Sequence, residues 1–201
     1  RLVPLTTKDD LRKEREESGD PYGGLLCVHR EEIVHLIRTA GTTGVPSIYG
    51  LTQRDIQVLG ELTARTWYQI GAQKGHTVAC ATMGTWNYFA KALIEGLRVA
   101  GINVYNFSMP IPGEEVFPVE ILSRWMKIQG FYLSARPFLQ VTEKYGDRLK
   151  ALLPNLEYVF VAGQRMTKSF RRQIESLWGA PLYEAYPITD VGLPSANCTE
   201  Q

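Results

Sequence analysis

The sequence predicts an α/β fold, a mostly parallel sheet flanked by helices. Three observations carry this. Short apolar runs at 76–82, 102–108, 131–134, 158–162 and 181–186 alternate with longer stretches whose apolar residues recur at helical spacing. The connections between them are short, as βαβ units require. The run Tyr158-Val159-Phe160-Val161-Ala162 is continuously apolar, the pattern of a strand buried on both faces.

Taken in order, Thr7 is an N-cap for a first helix, with Asp9 and Asp10 opposing the dipole of its first turn. The mixed charges from Arg12 to Glu17 form a solvated face ending at Ser18-Gly19-Asp20-Pro21. Two apolar runs, 33–37 and 47–49, bracket a glycine-rich turn. Thr52 with Asp55 is a capping-box pair opening a long helix, and Ile56, Leu59, Thr63, Trp67 and Ile70 mark its core face. After the strand at 76–82, Trp86, Phe89, Ala90, Leu93, Leu97 and Ala100 lie on one stripe of a second helix. Pro118 suits the first turn of a third helix carrying Val119, Leu122, Trp125 and Met126, with Gly130 as its stop. Pro137 starts a fourth helix towards Tyr145, and Thr167 caps a fifth that runs through Trp178.

At 201 residues the chain is long enough for one sizeable core, and the reading is one domain, cut at both ends. A net charge of +1 gives no electrostatic reason to expect nucleic acid or an anionic membrane as partner. No apolar stretch approaches a membrane span, and no signal-peptide pattern is present. Cys27, Cys80 and Cys198 are odd in number and far apart, which argues against a disulfide framework and for a reducing, cytoplasmic setting.

The chemistry-bearing segments are expected at strand ends, where open α/β sheets bind ligands. The first is Arg38-Thr39-Ala40-Gly41-Thr42-Thr43-Gly44-Val45-Pro46. Gly41 and Gly44 let backbone approach a ligand, and Thr39, Thr42 and Thr43 add hydroxyls around an anion nest. A tight turn whose threonines bond their own backbone is the alternative. The spacing is not that of a Walker loop. The second segment is Ala162-Gly163-Gln164-Arg165. The third, Tyr186-Pro187-Ile188-Thr189-Asp190-Val191-Gly192, joins a ring for a base, a hydroxyl for a phosphate and an acid for magnesium. An ordinary loop with Tyr186 packed inward and Asp190 solvated is the alternative there.

These strings, in this order and spacing, resemble the adenylate-forming (acyl-CoA synthetase, AMP-binding) enzymes, specifically the phenylacetate–CoA ligase branch. The branch's Ser-Ser-Gly-Thr-Thr-Gly-Lys-Pro loop, its Gly-Ala-Glu-Pro turn and its Tyr-Gly-Leu-(Ser/Thr)-Glu motif match the three segments in turn. The start Thr6-Thr7-Lys8 and the string Cys198-Thr199-Glu200-Gln201 also match. The resemblance implies that residues 1–201 are an incomplete N-terminal AMP-binding large domain, lacking its start, its end and the C-terminal lid domain, and inactive alone. It implies that Thr39, Gly41, Thr42, Thr43 and Gly44 hold ATP phosphates. Ala162, Gly163 and Gln164 would line the base, Tyr186 would stack on adenine, Thr189 would touch the α-phosphate and Asp190 would bind magnesium. Met83, Gly84, Thr85, Trp86 and Phe89 would line an acyl pocket suited to an aryl or other apolar acid, although Trp86 and Phe89 equally belong to the core stripe. Cys198 would be one ligand of a structural zinc.

The implied activity is acid–CoA ligation: a carboxylate attacks the α-phosphorus of ATP, giving acyl-adenylate and pyrophosphate, and the CoA thiol then displaces AMP. The partners are a small carboxylic acid, ATP and CoA, and a homodimer is an allowed assembly. Two alternatives stand beside it: an adenylating enzyme that loads a carrier protein or an amine, and a catalytically degenerate binding paralogue. The departures feed the second. Ala40 replaces a hydroxyl, Val45 replaces the loop lysine, Pro187 replaces glycine, and Asp190 is a methylene shorter than glutamate.

Overall fold

In the computed structural model, which describes residues 6–39, 45–82, 87–107, 118–188 and 192–196, the helices after Thr7, Thr52 and Thr167 begin where those caps place them. α1 (Lys8–Ser18) opens with a capping box. Thr7 Oγ1 accepts from Asp10 N–H at 3.2 Å, and the Asp10 carboxylate accepts from Thr7 N–H at 2.7 Å. α1 has no buried residue, in keeping with its charged sequence. β1 (Ile33–Arg38) and β2 (Ile48–Thr52) pair antiparallel as a separate two-stranded sheet, with Arg38 opposite Ile48. The glycine loop therefore closes a hairpin and does not end a strand of the main sheet. Thr52 and Asp55 repeat the capping box at the start of α2 (Gln53–Gln69).

The main sheet follows: β3 (Thr77–Ala81), α3 (Tyr88–Val99), β4 (Asn103–Phe107), α4 (Pro118–Ser123), β5 (Gly130–Ser134), α5 (Ala135–Tyr145), α6 (Leu149–Leu152), β6 (Tyr158–Ala162), α7 (Lys168–Trp178), β7 (Leu182–Ile188) and β8 (Gly192–Ala196). Strand order is β4-β3-β5-β6-β7-β8, parallel from β4 to β7, with β8 antiparallel at the edge. The antiparallel β8 has no counterpart in the sequence reading.

Both faces of the sheet are covered, which is why β3 and β6 are buried at every position. α2 and α3 cover one face, with Trp67, Leu93 and Leu97 packed on Val78, Cys80, Tyr132 and Phe160. α4 to α7 cover the other, where Trp178 stacks between Phe131 and Phe138 at 5.0 Å from each. The Trp178 indole N–H donates to Thr142 Oγ1 at 2.9 Å, so its burial leaves no polar atom stranded. Burial pushes the Cys80 thiol and the Tyr158 phenol well above their ordinary pKa values.

The third helix differs from its prediction. α4 stops at Ser123, and Trp125 is 85% exposed and Met126 43% exposed rather than in a core stripe. The backbone turns there through Trp125 N–H and Met126 N–H, both donating to the Leu122 carbonyl, and the turn delivers Ile128 to the core instead. Gly130 does not stop a helix. It opens β5, where it pairs with Tyr158. A Cβ at Gly130 would lie 2.2 Å from Tyr158 Cε2 and 2.8 Å from Val78 Cγ2, so close packing, not turn geometry, demands the glycine. α5 likewise starts two residues ahead of Pro137, which occupies its first turn.

Gly130→Ala forces the Tyr158 ring out of its site. We expect a loss of about 1–3 kcal/mol, the usual cost of overpacking, read as a lower urea midpoint with an unchanged slope.

Candidate active site

The direction of chain travel across the sheet reverses at β3. From β3 the chain crosses to β4 on one side, then returns past β3 to β5 on the other. α3 and α4 accordingly lie on opposite faces, and a crevice opens at the carboxyl ends of β3 and β5. Two adjoining cavities occupy this end of the sheet.

The first, about 560 Å³, is lined by Gly163, Gln164, Arg165, Glu184, Ala185, Tyr186, Pro187 and Ala196. Gly163 turns the chain out of β6 with φ +99°, a conformation that side chains with a Cβ rarely adopt. Glu184 holds the far end of that turn. Its carboxylate accepts from Met166 N–H at 2.8 Å and pairs with the Arg171 guanidinium, which also donates to the Leu182 carbonyl at 3.0 Å. The charged pair thus anchors α7 and the turn to β7. Tyr186, on the same face of β7 as Glu184, is 65% exposed and presents its ring to the cavity. Tyr186-Pro187-Ile188 lie within β7 rather than in a loop beyond it. Pro187 falls where the β7–β8 register shifts, a position that tolerates a residue without an N–H.

The second cavity, about 590 Å³, lies over β3 and β5 and takes in Thr82, Asn87, Phe89, Tyr132, Ser134 and Arg136. Gly163, Gln164 and Pro187 line it as well, so the two cavities share a wall. Asn87 caps α3 through Oδ1, accepting from Phe89 N–H at 2.9 Å and Ala90 N–H at 3.3 Å. Phe89 meets Tyr132 edge-to-face with ring centroids 5.8 Å apart. It also packs against the α2–α3 core cluster, so one side chain both lines the cavity and belongs to the core.

Of the sequence-assigned residues, the structure brings Gly163, Gln164 and Tyr186 to one cavity, and Ala162 and Phe89 to its neighbour. Thr39 sits apart, at the neck of the β1–β2 loop. Its N–H donates to the Ser47 carbonyl at 3.0 Å, and its Oγ1 accepts from Ser47 N–H at 3.0 Å. Arg15 of α1 braces the same neck through Ser47 Oγ at 2.7 Å. Val45, 83% exposed, brings no charge to the loop. Gly41, Thr42, Thr43, Gly44, Met83, Gly84, Thr85, Trp86, Thr189, Asp190 and Cys198 lie outside the described residues. Among the described residues no group of three or more His, Cys, Asp or Glu side chains is placed to hold a metal ion.

Sequence reasoning missed Asn87, Tyr132, Ser134 and Glu184. Tyr132 and Ser134 were findable, since β5 is also a parallel strand whose carboxyl end borders the crevice. Asn87 immediately precedes an apolar helical stripe, an N-cap signal obscured by starting the stripe at Trp86.

The fold is that of the adenylate-forming acyl-CoA ligases. A 2-hydroxyisobutyryl-CoA ligase structure, in complex with 2-HIB-AMP and CoA, superposes with a TM-score of 0.80 at 23% identity, over 98% of this chain and 42% of that one. ATP-bound MatB from Rhodopseudomonas palustris superposes with a TM-score of 0.64 at 14% identity, over 88% of this chain and 33% of that one. Sequence similarity points within that class to one branch. A phenylacetate-coenzyme A ligase from Thermus thermophilus is 28% identical over 99% of this chain and 43% of its own length. One from Pseudomonas putida is 40% identical over 37% of this chain and 16% of its own length. No protein-family model matches the chain. The sequence therefore resembles the phenylacetate–CoA ligases, and the fold resembles that of the solved CoA ligases. The chain spans less than half the length of these relatives.

Glu184→Ala removes the acceptor shared by Met166 N–H and Arg171. We expect about 2 kcal/mol of destabilisation in urea unfolding. Adding Arg171→Ala should cost little more, because the two residues act as one unit.

Proposed function

We propose that the protein of which this chain is part is an acid–CoA ligase. It would activate an aryl or other apolar carboxylic acid with ATP as an acyl-adenylate and then transfer the acyl group to CoA. The observation that carries this reading is the pair of adjoining cavities sharing Gly163, Gln164 and Pro187. One offers an exposed ring, Tyr186, beside a glycine turn, which suits a purine base. The other is walled by Phe89, Tyr132 and Pro137, which suits an apolar acid. A carboxylate held on their common wall lies next to the nucleotide it is to attack.

The carboxylate is already a nucleophile, so the first step needs positioning and charge neutralisation rather than a base. Gly163 and Gln164 would position the base and the acid on either side of one turn. Tyr186 would hold the purine, and Thr39 with Gly41, Thr42, Thr43 and Gly44 would surround the phosphates. Magnesium would neutralise phosphate charge when bound, with Asp190 assigned to it and Thr189 to the α-phosphate by resemblance. Met83, Gly84, Thr85 and Trp86 would complete the acid pocket, and Cys198 would contribute to a zinc site. Cytoplasmic location and a homodimer complete the proposal. Among the described residues no helix is long and apolar enough to cross a membrane.

The test is ATP–pyrophosphate exchange by the full-length protein with a panel of aryl and short aliphatic acids, followed by CoA as acceptor. Acid-dependent exchange and release of AMP with CoA are expected. No exchange with any acid, together with no ATP-induced thermal shift, overturns the reading in favour of a degenerate binding paralogue. Exchange without turnover on CoA, but with turnover on a carrier protein or amine, selects the other adenylating enzyme.

Tyr186→Ala should weaken ATP binding by roughly tenfold or more, as expected from the loss of about 1–3 kcal/mol of base stacking. The melting temperature should hold, because the ring is mostly exposed. Calorimetric titration of ATP and a thermal melt read both.

A further inference from the structure

The acid cavity of that proposed ligase has a polar floor. Tyr132 and Ser134 are two residues apart on β5 and so project from the same face, towards α3. The Tyr132 ring is 3% exposed and wedged between Phe89, at 5.8 Å, and Phe160, at 6.1 Å. Its hydroxyl meets Ser134 Oγ at 3.5 Å, the outer limit of a hydrogen bond. Neither hydroxyl has another hydrogen-bond partner among the described residues. The third hydroxyl of the cavity is already engaged, since Thr82 Oγ1 donates to Asn106 Oδ1 at 2.8 Å.

A buried phenol normally finds a firm partner, and the 3.5 Å contact to Ser134 is a weak one. Burial raises the Tyr132 pKa above the ordinary tyrosine value, so the group stays neutral at physiological pH and can both donate and accept. The cavity takes in Gly163, on the nucleotide side, together with Tyr132, Ser134 and Phe89, and Ser134 pairs across the sheet with Ala162, the neighbour of Gly163. An aromatic acid bound in this cavity packs against Phe89 with these hydroxyls among the groups lining the same space.

We propose that Tyr132, seconded by Ser134, is a specificity-determining residue that hydrogen-bonds a hydroxyl on the ring of the acid, so that the substrate class is hydroxy-substituted aromatic carboxylic acids. This rests on the ligase reading above. A site that hydrogen-bonds a substrate hydroxyl discriminates strongly against the analogue lacking it, because its own polar groups are then left unpaired.

The experiment is pyrophosphate exchange by the full-length protein, comparing phenylacetate with its 2-, 3- and 4-hydroxy ring isomers. Wild type, Tyr132→Phe and Ser134→Ala are measured in parallel. At least one hydroxylated isomer should be favoured over phenylacetate by tenfold or more in kcat/KM. Tyr132→Phe should bring that ratio to within a few-fold of one. Ser134→Ala, at a half-buried strand end, should reduce the ratio in the same direction and carries the test if Tyr132→Phe does not fold. A ratio unchanged in the variants, or a wild type that favours phenylacetate over every isomer, overturns the proposal and leaves the ligase reading standing. Exchange with none of these acids but with aliphatic ones also overturns it. Exchange with no acid at all overturns the ligase reading and this inference together.

Discussion

Burial of both faces of the parallel strands is the constraint on which the molecule depends. A parallel sheet cannot turn back through hairpins, so each return crosses a face as a helix and brings apolar cover with it. β3 and β6 show the consequence directly: every residue of Thr77–Ala81 and Tyr158–Ala162 is buried. The same demand makes Gly130 indispensable, because the Tyr158 ring fills the space that a side chain there would need. It also decides where the sheet is left open. Once α3 takes one face and α4 the other, the seam between β3 and β5 is left open at its carboxyl end, and the second cavity lies there.

Polar groups in this framework are placed by the apolar packing around them. Glu184 and Arg171 join strand, helix and turn at the edge of the first cavity, where partial exposure keeps their desolvation cost modest. Trp178 reaches Thr142, and Trp67 reaches the Leu93 carbonyl, so the largest buried rings arrive with their donors satisfied. Tyr132 differs from these. Its ring is packed as firmly as theirs, yet its hydroxyl has only a long contact, and that contrast gives the second cavity its chemical character.

The two cavities are unequal in what they ask of a ligand. The first is formed by a glycine turn, the exposed Tyr186 ring and the polar side chains of Gln164, Arg165 and Glu184. The second is bounded by α3 and β5, and its shape follows from residues that also belong to the hydrophobic core. Side chains with this double duty tie cavity shape to fold stability, since changing Phe89 alters the packing of α3 on Tyr132 as well as the size of the cavity.

Local chemistry in the sequence by itself determined the helix starts at Thr7, Thr52 and Thr167, the buried strand at Tyr158–Ala162, the helical stripe through Trp67 and the resemblance carried by the strand-end motifs. Each is encoded within a few consecutive residues, by a cap, a period or a string, and needs no distant partner to be read. Only the tertiary structure decided the role of Gly130, the early end of α4, the hairpin pairing of β1 with β2, the antiparallel β8 and the approach of Tyr132 to Phe89. Those depend on which atoms a residue meets across the sheet. Spacing along the chain holds no record of that, because a glycine that ends a helix and a glycine that admits a neighbouring ring are the same letter.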